Sequence, residues 1–429
     1  MKVFLDSIGC RLNQSEIERI GRDFRLAGYE LVSDPAQADL AVINTCTVTQ
    51  RAESDSRKKT RQLARAGVDQ IILTGCWATL EERSALGLPK VTRVVKNDDK
   101  SRLVADLLGQ PLELFNQKPL QREPLPGSRM RTRAFIKVQD GCNNHCSFCI
   151  TTVARGSGSS LPSESVLNEV HAALQGGSQE IVLCGVHLGS WGKDLSQGRS
   201  LRDLIQLILK ETEIPRLRLS SLEPWNLDAN FFALWQNARL CRHLHLPLQS
   251  GSNTTLRRMA RKTSQDDFST LITAARAEIP DVAITTDIIV GFPGETEEEF
   301  KESLAFVEAI DFAGGHVFTY SEREATPAAG FDHPVPTAVR RERSEVMRAA
   351  ITRSADHYRR SFIGKILPVL WESSNDLGEA GWQLSGLTDN YLRVFASSDE
   401  DRWNQISDVE IKHPLKGVLQ GRIITNHSV

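Results

Sequence analysis

The chain has 429 residues, with 52 Lys and Arg against 54 Asp and Glu, which gives a net charge of −2. This length predicts several domains, and the charge balance excludes a uniformly basic nucleic-acid coat, so any basic surface is local. No apolar run approaches the length of a membrane-spanning helix, and Asp6 interrupts the amino terminus before a signal-peptide core forms. We therefore expect a cytoplasmic protein with no membrane partner.

Residues 1–108 alternate short apolar runs with polar helical stretches. The predicted elements are strands at residues 2–8, 40–44 and 71–74 and helices at 14–28 and 52–66. Alternation of this kind predicts an α/β domain with a parallel sheet and helices on its faces.

Each predicted strand of this segment is followed by one isolated cysteine: Cys10, Cys46 and Cys76. The carboxyl ends of parallel strands meet at one sheet edge, where ligands bind, so these thiols are expected to converge. Taken singly, each is typical of a small buried apolar residue. Their shared placement is a physical reason to propose a three-thiolate ligand set.

Residues 109–130 contain Pro and Gly at positions that break regular structure, and we interpret them as a linker. Strand–helix alternation resumes over residues 131–363. The predicted strands are at residues 135–139, 180–183, 216–220, 243–246, 283–290 and 316–319. Right-handed crossovers of six such units close or nearly close a barrel, with its active site at the carboxyl ends of the strands.

The last segment, residues 364–429, changes character. It contains short β-rich runs, at residues 366–372, 382–387 and 391–396, with turn signals between them. Several short strands at this spacing predict a small antiparallel barrel. Acidic residues outnumber basic ones in this segment, so it is expected to hold phosphates poorly as a whole.

A C-x3-C-x2-C run follows the first predicted barrel strand, with Cys142, Cys146 and Cys149 as its cysteines. Eight cysteines in this chain are too sparse for a disulfide scaffold. Three thiolates from one loop suit three corners of a [4Fe–4S] cluster and leave the fourth iron open to a substrate. His145 lies inside the run, but structural zinc usually takes two separated pairs of ligands.

The run over residues 137–150, with Phe148 just before its last cysteine, resembles the signature of the radical S-adenosylmethionine enzymes. The fuller stretch resembles their methylthiotransferase branch. Gln-Asp-Gly before Cys142, together with the Gly-Val-His segment ending at His187, is similar to the enzymes that modify threonylcarbamoyladenosine in tRNA.

The resemblance spans nearly the whole chain, and the motifs around the three isolated cysteines match the amino-terminal motifs of the family. It implies a methylthiotransferase α/β domain, a partial (β/α)6 barrel and a terminal TRAM barrel, a module that binds RNA. It implies two [4Fe–4S] clusters, with one held by Cys142, Cys146 and Cys149 and the other by Cys10, Cys46 and Cys76. Contacts to S-adenosylmethionine are expected from Phe148, Gly185, His187, Glu223, Gln249, Gly291 and Arg323.

The activity that the resemblance implies is the addition of a methylthio group to C2 of N6-threonylcarbamoyladenosine at position 37 of tRNA. A radical cleaved from S-adenosylmethionine removes a hydrogen that no acid–base pair would remove, so no catalytic group beyond the cluster ligands is expected. The expected partners are a tRNA anticodon stem-loop, a reducing electron donor and a sulfur donor. The target base must leave its stack to reach the site.

Two features separate this chain from the usual family pattern. Residues 152–156 read Thr-Val-Ala-Arg-Gly and continue into serines where further arginines are common, and Trp191 stands where Tyr is usual. The alternatives are isopentenyl-adenosine tRNA or a ribosomal-protein aspartate as the substrate, a radical enzyme with one cluster, and a non-catalytic metal-containing RNA-binding protein.

Two stretches are rich in basic residues: the predicted helix after Cys46, and residues 340–360. A charge run is more often a solvated helix face than a binding site. As a pair beside a tRNA enzyme's site, both stretches are candidate phosphate contacts.

Overall fold

The computed structural model describes residues 1–115, 121–126, 132–196 and 198–424. The predicted linker at 109–130 therefore lies partly outside the described residues. None of the described helices combines the length and the apolar character that a membrane crossing demands.

The amino-terminal part is a five-stranded parallel sheet with helices on both faces. Its strands are β1 (Lys2–Ser7), β2 (Glu30–Val32), β3 (Leu40–Thr45), β4 (Gln70–Gly75) and β5 (Val91–Val95). Its helices are α1 (Arg11–Leu26), α2 (Gln50–Arg65), α3 (Cys76–Leu80), α4 (Glu82–Leu86) and α5 (Leu103–Leu108). The strand order is β2-β1-β3-β4-β5, and every neighbouring pair is parallel, as the sequence predicts.

Helix α1 shows why this part folds as two layers. Its buried residues Ile17, Ile20 and Phe24 recur at helical spacing and pack in one core with residues of the sheet that include Val3 and Val42. Such a stripe commits one helix face to the sheet. Another face of α1 contacts the central part of the chain, where Ser15 accepts from the N–H of Lys137 at 3.1 Å, so only Leu26 of the helix is exposed.

The central part contains six parallel strands that form an open barrel surrounded by helices, together with two short additional strands. Its strands are β6 (Arg133–Lys137), β7 (Gln139–Asp140), β8 (Ser159–Ser160), β9 (Glu180–Cys184), β10 (Arg216–Leu219), β11 (His243–His245), β12 (Ala283–Val290) and β13 (Gly314–Thr319). Its helices are α6 (Thr151–Arg155), α7 (Ser163–Gln175), α8 (Leu201–Glu211), α9 (Ala229–Phe232), α10 (Asn253–Arg258), α11 (Gln265–Glu278), α12 (Glu297–Ile310) and α13 (Thr337–Arg360).

Six of these strands form the predicted partial barrel. They pair as β10-β9-β6 and β11-β12-β13, and parallel bridges from Leu217 to Leu240 and from Ser221 to His245 join the two sheets. β7 and β8 form a separate two-stranded antiparallel sheet beside the cysteine loop. The largest hydrophobic core of the chain lies between the barrel strands and their helices.

The carboxy-terminal part is a closed barrel of five strands, which fits a TRAM module. The strands are β14 (Ile366–Asp376), β15 (Trp382–Thr388), β16 (Arg393–Ser398), β17 (Ile406–Leu415) and β18 (Val418–Ile423). Four neighbouring pairs are antiparallel, and β16 pairs with β18 in parallel. The core inside this barrel is built around Trp371, Val369 and Val409.

Six strands were not among the sequence predictions: β2, β5, β17, β18 and the two-residue strands β7 and β8. β2 has only three residues, and Thr92 and Arg93 on β5 are exposed, so neither shows an apolar alternation strong enough to mark a strand. Charged residues interrupt β17, so the alternation of its buried positions becomes visible only in the folded barrel.

Candidate functional site

Cys10, Cys46 and Cys76 lie at the carboxyl ends of three adjacent strands. Cys10 immediately precedes α1, Cys46 follows β3, and Cys76 begins α3 directly after β4. The parallel ladders of β1 with β3 and of β3 with β4 continue to the strand ends, so these ends lie at one edge. Cysteines that are far apart in sequence are thus gathered at a single edge of the sheet.

Two glycines let these loops approach one another. Gly9 has a φ of +109°, and a Cβ added there would lie 2.7 Å from the sulfur of Cys46. Gly75 has a φ of +96°, and a Cβ there would lie 2.3 Å from the backbone oxygen of Thr45. Side chains disfavour this region of φ, so both positions require glycine for close packing around the thiols.

Two asparagine amides contact this first set of cysteines. The sulfur of Cys10 lies 3.7 Å from Oδ1 of Asn13, and Nδ2 of Asn97 lies 3.8 Å from the sulfur of Cys76. Nδ2 of Asn13 also donates to the backbone oxygen of Thr45 at 3.1 Å. One side chain thus ties the loop of Cys10 to the residue before Cys46.

Cys142, Cys146 and Cys149 lie in the loop between β7 and α6, and all three are partly exposed. Gly141 has a φ of +62°, and a Cβ there would come within 2.0 Å of a backbone oxygen. The N–H of Cys142 donates to the backbone oxygen of Gly156 at 3.1 Å. The loop therefore folds back on the end of α6.

Burial raises the pKa of the Cys46 thiol to about 11 and raises the pKa of Cys142 and Cys146 as well. Arg261 opposes the shift at Cys146, since its Nη1 lies 3.7 Å from that sulfur. A buried thiol with a raised pKa loses its proton when a metal centre takes it as a ligand.

Within the described ranges, no three His, Cys, Asp or Glu side chains lie close enough to hold one metal ion. A [4Fe–4S] cluster gives each thiolate an iron of its own, so its ligands need not converge on a single ion. The donor chemistry of each set, three thiols with an accessible member, fits a cluster with one open iron.

A buried network of charges joins the two sets of cysteines. Glu16 of α1 accepts from Lys100 at 2.7 Å, from Lys137 at 3.0 Å and from Arg155 at 2.9 Å. Arg155 also donates to Asp140 at 2.9 Å. The side chains of Glu16, Lys100 and Arg155 are 4%, 6% and 2% exposed, whereas Lys137 and Asp140 at the edge of the network are about a quarter exposed. Burial disfavours the charge on Glu16, yet the three cations hold its pKa well below the usual value.

The same network holds the two asparagines that contact the first set. Nη2 of Arg155 donates to Oδ1 of Asn13 at 2.7 Å, and Nδ2 of Asn97 donates to the backbone oxygen of Ala154 at 2.6 Å. Ala154 and Arg155 belong to α6, which follows Cys149 closely in the chain. The two sets of cysteines therefore have a common hydrogen-bonded frame.

Four of the predicted S-adenosylmethionine contacts lie in or beside the cysteine loop. Phe148 packs on an apolar cluster that includes Phe292 and Tyr320. A Cβ at Gly185 would lie 2.9 Å from Oε1 of Gln139. Nδ1 of His187 lies 3.3 Å from Nδ2 of Asn144 in the cysteine loop. Glu223 accepts a hydrogen bond from Arg261 at 2.7 Å.

The other three predicted contacts are placed differently. Gln249 adopts a left-handed φ of 75° at the end of β11 and its N–H donates to the backbone of β12. The N–H of Gly291 donates to Glu295 at 2.6 Å, and a Cβ at this position would meet the side chain of Arg340. Arg323 pairs with Glu53 of α2 at 2.5 Å, and its Nε and Nη2 are buried without a partner in the described part of the chain.

Sequence reasoning missed two site residues. Arg261 is nearly buried, stacks 4.5 Å over the ring of Trp225 and reaches the sulfur of Cys146, but no local pattern marks it. Glu16 does carry a signal, because it lies four residues after Leu12 and four before Ile20 on the buried stripe of α1. A carboxylate on an apolar stripe predicts a buried partner.

The remaining two cysteines, Cys184 and Cys241, lie in the core and are each 1% exposed. Burial raises the pKa of both thiols to about 12, so both remain protonated.

Two segments of the chain match described protein families. Residues 136–307 match the radical SAM superfamily, and residues 2–96 match the uncharacterized protein family UPF0004. The first match contains the cysteine loop and the barrel strands from β9 to β12, and the second contains Cys10, Cys46 and Cys76.

Curated relatives align over most of the chain. The threonylcarbamoyladenosine tRNA methylthiotransferase MtaB of Bacillus subtilis is 34% identical over 95% of this chain and 93% of its own length. MtaB of Thermotoga maritima is 36% identical over 86% of each chain. The tRNA-2-methylthio-N(6)-dimethylallyladenosine synthase of Clostridium tetani is 30% identical over 97% of this chain and 95% of its own.

Among solved structures, the radical S-adenosylmethionine methyltransferase TsrM from Kitasatospora setae superposes with a TM-score of 0.58 at 15% identity. The match covers 76% of this chain and 75% of TsrM. At this identity the likeness shows the fold alone.

A partial barrel of parallel strands, with a C-x3-C-x2-C loop at the carboxyl end of its first strand, defines a radical S-adenosylmethionine enzyme. The amino-terminal sheet and the full-length relatives make the assignment narrower. The chain belongs to the radical S-adenosylmethionine methylthiotransferase family, whose members use S-adenosylmethionine and [4Fe–4S] clusters.

Proposed function

We propose that this enzyme adds a methylthio group to C2 of N6-threonylcarbamoyladenosine at position 37 of tRNA. The observation that carries the proposal is the junction at which one buried network joins the three cysteines of the sheet edge to the three of the barrel loop. Replacing a carbon-bound hydrogen by a sulfur group needs a radical source beside a sulfur source, and two adjacent cluster sites provide that arrangement.

The substrate proposal is supported by the names of the relatives. The two MtaB relatives at 34% and 36% identity are named for threonylcarbamoyladenosine in tRNA, whereas the relative at 30% is named for dimethylallyladenosine. Gln139 and His187, which carry the resemblance to the first group, contact each other: the N–H of His187 donates to Oε1 of Gln139 at 2.8 Å.

In this proposal each set of cysteines holds one cluster, and six residues are the ligands: Cys142, Cys146 and Cys149 for the barrel cluster, and Cys10, Cys46 and Cys76 for the other. When bound, the barrel cluster supplies the electron that cleaves S-adenosylmethionine, and the other cluster presents the sulfur. The chain's own part is to hold the two sets in fixed register through Glu16, Arg155 and the two asparagines.

The proposed contacts to S-adenosylmethionine are Phe148, Gly185, His187, Glu223, Gln249, Gly291 and Arg323. Arg323 supports this role best, because its two unpartnered nitrogens are ready to bind a carboxylate or phosphate. Burial lowers the pKa of His187, although the negative charge of Glu223 opposes this shift. The imidazole ring of His187 is therefore neutral and keeps one donor and one acceptor nitrogen.

The proposed macromolecular partner is a tRNA anticodon stem-loop, which offers a base that leaves its stack at low cost. A reducing electron donor and a sulfur donor complete the reaction. Free thiols at all eight cysteines suit the reducing conditions of the cytoplasm.

The test is an anaerobic reaction of the iron-loaded enzyme with tRNA that carries threonylcarbamoyladenosine, followed by mass spectrometry of the nucleosides. We expect the 2-methylthio derivative of that nucleoside. Replacement of Cys10, Cys46 and Cys76 by Ala should keep the cleavage of S-adenosylmethionine and abolish the product, whereas replacement of Cys142, Cys146 and Cys149 should abolish both.

Formation of a methylthio product on isopentenyl-adenosine tRNA or on a ribosomal-protein aspartate instead would overturn the proposed substrate assignment. Unimpaired product from the first triple variant would remove the second cluster from the chemistry. Neither outcome changes the assignment of the chain to its family.

A further inference from the structure

Helix α2 carries a stripe of exposed cations, formed by Lys58, Arg61 and Arg65. Residues at this spacing share one helix face, and with 1.5 Å per residue the stripe is about 10 Å long. In the described part of the chain none of the three takes part in an ion pair. The helix's other inner cations are engaged, since Lys59 pairs with Asp6 at 2.5 Å and Arg57 lies over the ring of Trp77.

The carboxy-terminal barrel shows the opposite pattern. Almost all of its basic side chains pair with carboxylates, and the pairs are Lys365–Asp281, Arg393–Glu372, Arg402–Glu400, Lys412–Glu410 and Arg422–Glu410. Lys416 is the exception within the described ranges. A cation already paired with a carboxylate gains little from an added phosphate, because the phosphate must compete with the acid.

Helix α13 also has fewer cations free to bind phosphate than its basic sequence indicates. Arg343 is buried against Glu295, Arg353 pairs with Glu308 and Arg359 pairs with Asp356. Its other exposed cations are Arg341, Arg348 and Arg360, and they share the helix with two exposed acids, Glu342 and Glu345. The exposed charges of α13 are therefore mixed, whereas no acid lies between Lys58 and Arg65 on α2.

The position of α2 connects the stripe to the cysteine site. The helix begins after Thr49, its N-cap, three residues beyond Cys46. In its first turn Glu53 pairs with Arg323, which lies in the loop after the last barrel strand, β13. The stripe starts about 12 Å along the helix from this anchored end, given 1.5 Å per residue.

We infer that Lys58, Arg61 and Arg65 form the main phosphate-binding surface for the RNA whose nucleotide enters the site, and that the carboxy-terminal barrel contributes little charge to RNA binding. The inference rests on the proposed function for the identity of the partner. RNA phosphates bound by these three cations would release counterions, so the affinity would depend on salt through them.

The experiment measures the affinity of the full-length, iron-loaded protein for unfractionated tRNA over a series of salt concentrations. The test variant carries Lys58→Gln, Arg61→Gln and Arg65→Gln together, which keeps good helix formers at exposed positions. We expect the slope of log affinity against log salt to fall in magnitude by about 2–3, because each neutralised phosphate contributes about 0.7–0.9.

The matched control carries Arg341→Gln and Arg348→Gln on α13, with Lys416→Gln as a separate control on the terminal barrel. Both should leave the slope close to that of the unaltered enzyme. An unchanged slope in the α2 variant, or an equal loss in a control, would overturn the inference. Because this readout does not depend on which nucleoside is modified, its failure is distinct from a failure to form the proposed product.

Discussion

At the residue scale, the site depends on charges buried where the first sheet meets the barrel. Glu16 and Asp140 contact three cations, Lys100, Lys137 and Arg155, each of which comes from a different element. Such a network adds little stability over an apolar core, but removing one partner leaves the others buried and uncompensated. Its value is positional, because it sets one group of thiols against the other.

Glu16→Gln tests this network. The change leaves Lys100 and Arg155 buried with one carboxylate fewer, and we expect the free energy of unfolding to fall by about 3–5 kcal/mol, measured by urea titration at pH 7. The matched control is Asp106→Asn, which breaks a partly exposed pair with Arg102 and should cost less than about 1 kcal/mol. Equal small losses in both variants would contradict the role of the network.

Asp23 provides a prediction on pH. Burial raises its pKa from 3.8 to about 6; Glu169 adds to this shift, and Arg19 and Arg22 oppose it. Between these two pH values the folded chain keeps a proton that the unfolded chain has lost, so this residue costs stability as pH rises from about 4 to 6 and above.

Asp23→Asn should therefore stabilise the protein at pH 8 by up to about 3 kcal/mol, at 1.36 kcal/mol per pKa unit, and should have little effect near pH 4. The measurement is urea unfolding of both proteins at the two pH values. The same change in stability at both would refute the raised pKa.

The two partners Glu16 and Lys100 show what sequence can reveal at this scale. Glu16 interrupts an apolar helical stripe, which is visible in a single sequence. Lys100 lies in a short 3-10 turn among other polar residues, and nothing local indicates that its ammonium is buried. A buried charge is predictable from sequence only where it interrupts an apolar stripe on its own helix or strand.

At the element scale, the turn after β15 joins the terminal barrel to the central one. Arg218, fully buried with Glu180, donates to the backbone oxygens of Thr388 and Asp389 at the amino-terminal end of the central barrel. Tyr391 has a φ of 66° and stacks on His243 with 4.4 Å between ring centres. The turn therefore fills the barrel end opposite the cysteine loop.

Tyr391→Phe isolates one contact of this turn. The ring stacking is kept, but the hydroxyl that accepts from Arg11 at 2.6 Å is lost. We expect a loss of about 1.5–3 kcal/mol, as for a hydrogen bond to a charged group, in the urea unfolding of the full chain. Tyr29→Phe, which keeps the edge contact with Phe24, is the control and should change little. A neutral result for Tyr391→Phe would show that the turn packs through its ring alone.

The elements themselves were largely predictable, and their contacts were not. Strong apolar runs marked β1, β3, β4 and the six barrel strands, but the short β2 and the exposed β5 lacked such runs. The insertion of Tyr391 was not foreseeable, because it depends on arginines about 170 residues earlier in the chain.

At the scale of the whole molecule, the central barrel is held at both ends. The amino-terminal sheet meets the cysteine loop through Arg155 and Asn97, and the terminal barrel closes the other end through its turn. Sequence motifs predicted both sets of cysteines and the order of the three parts. The contacts between the three parts could not be predicted from sequence, since residues that meet there, such as Arg155 and Glu16, lie 139 residues apart in the chain.

The most direct test of the account is the iron and acid-labile sulfide content of the anaerobically purified chain and of its two triple Cys→Ala variants. Two clusters predict about eight irons per chain, and about four in each variant, since each cluster holds four. A native content of about four, or a variant at Cys10, Cys46 and Cys76 that keeps the full native content, would contradict the presence of two clusters at this junction.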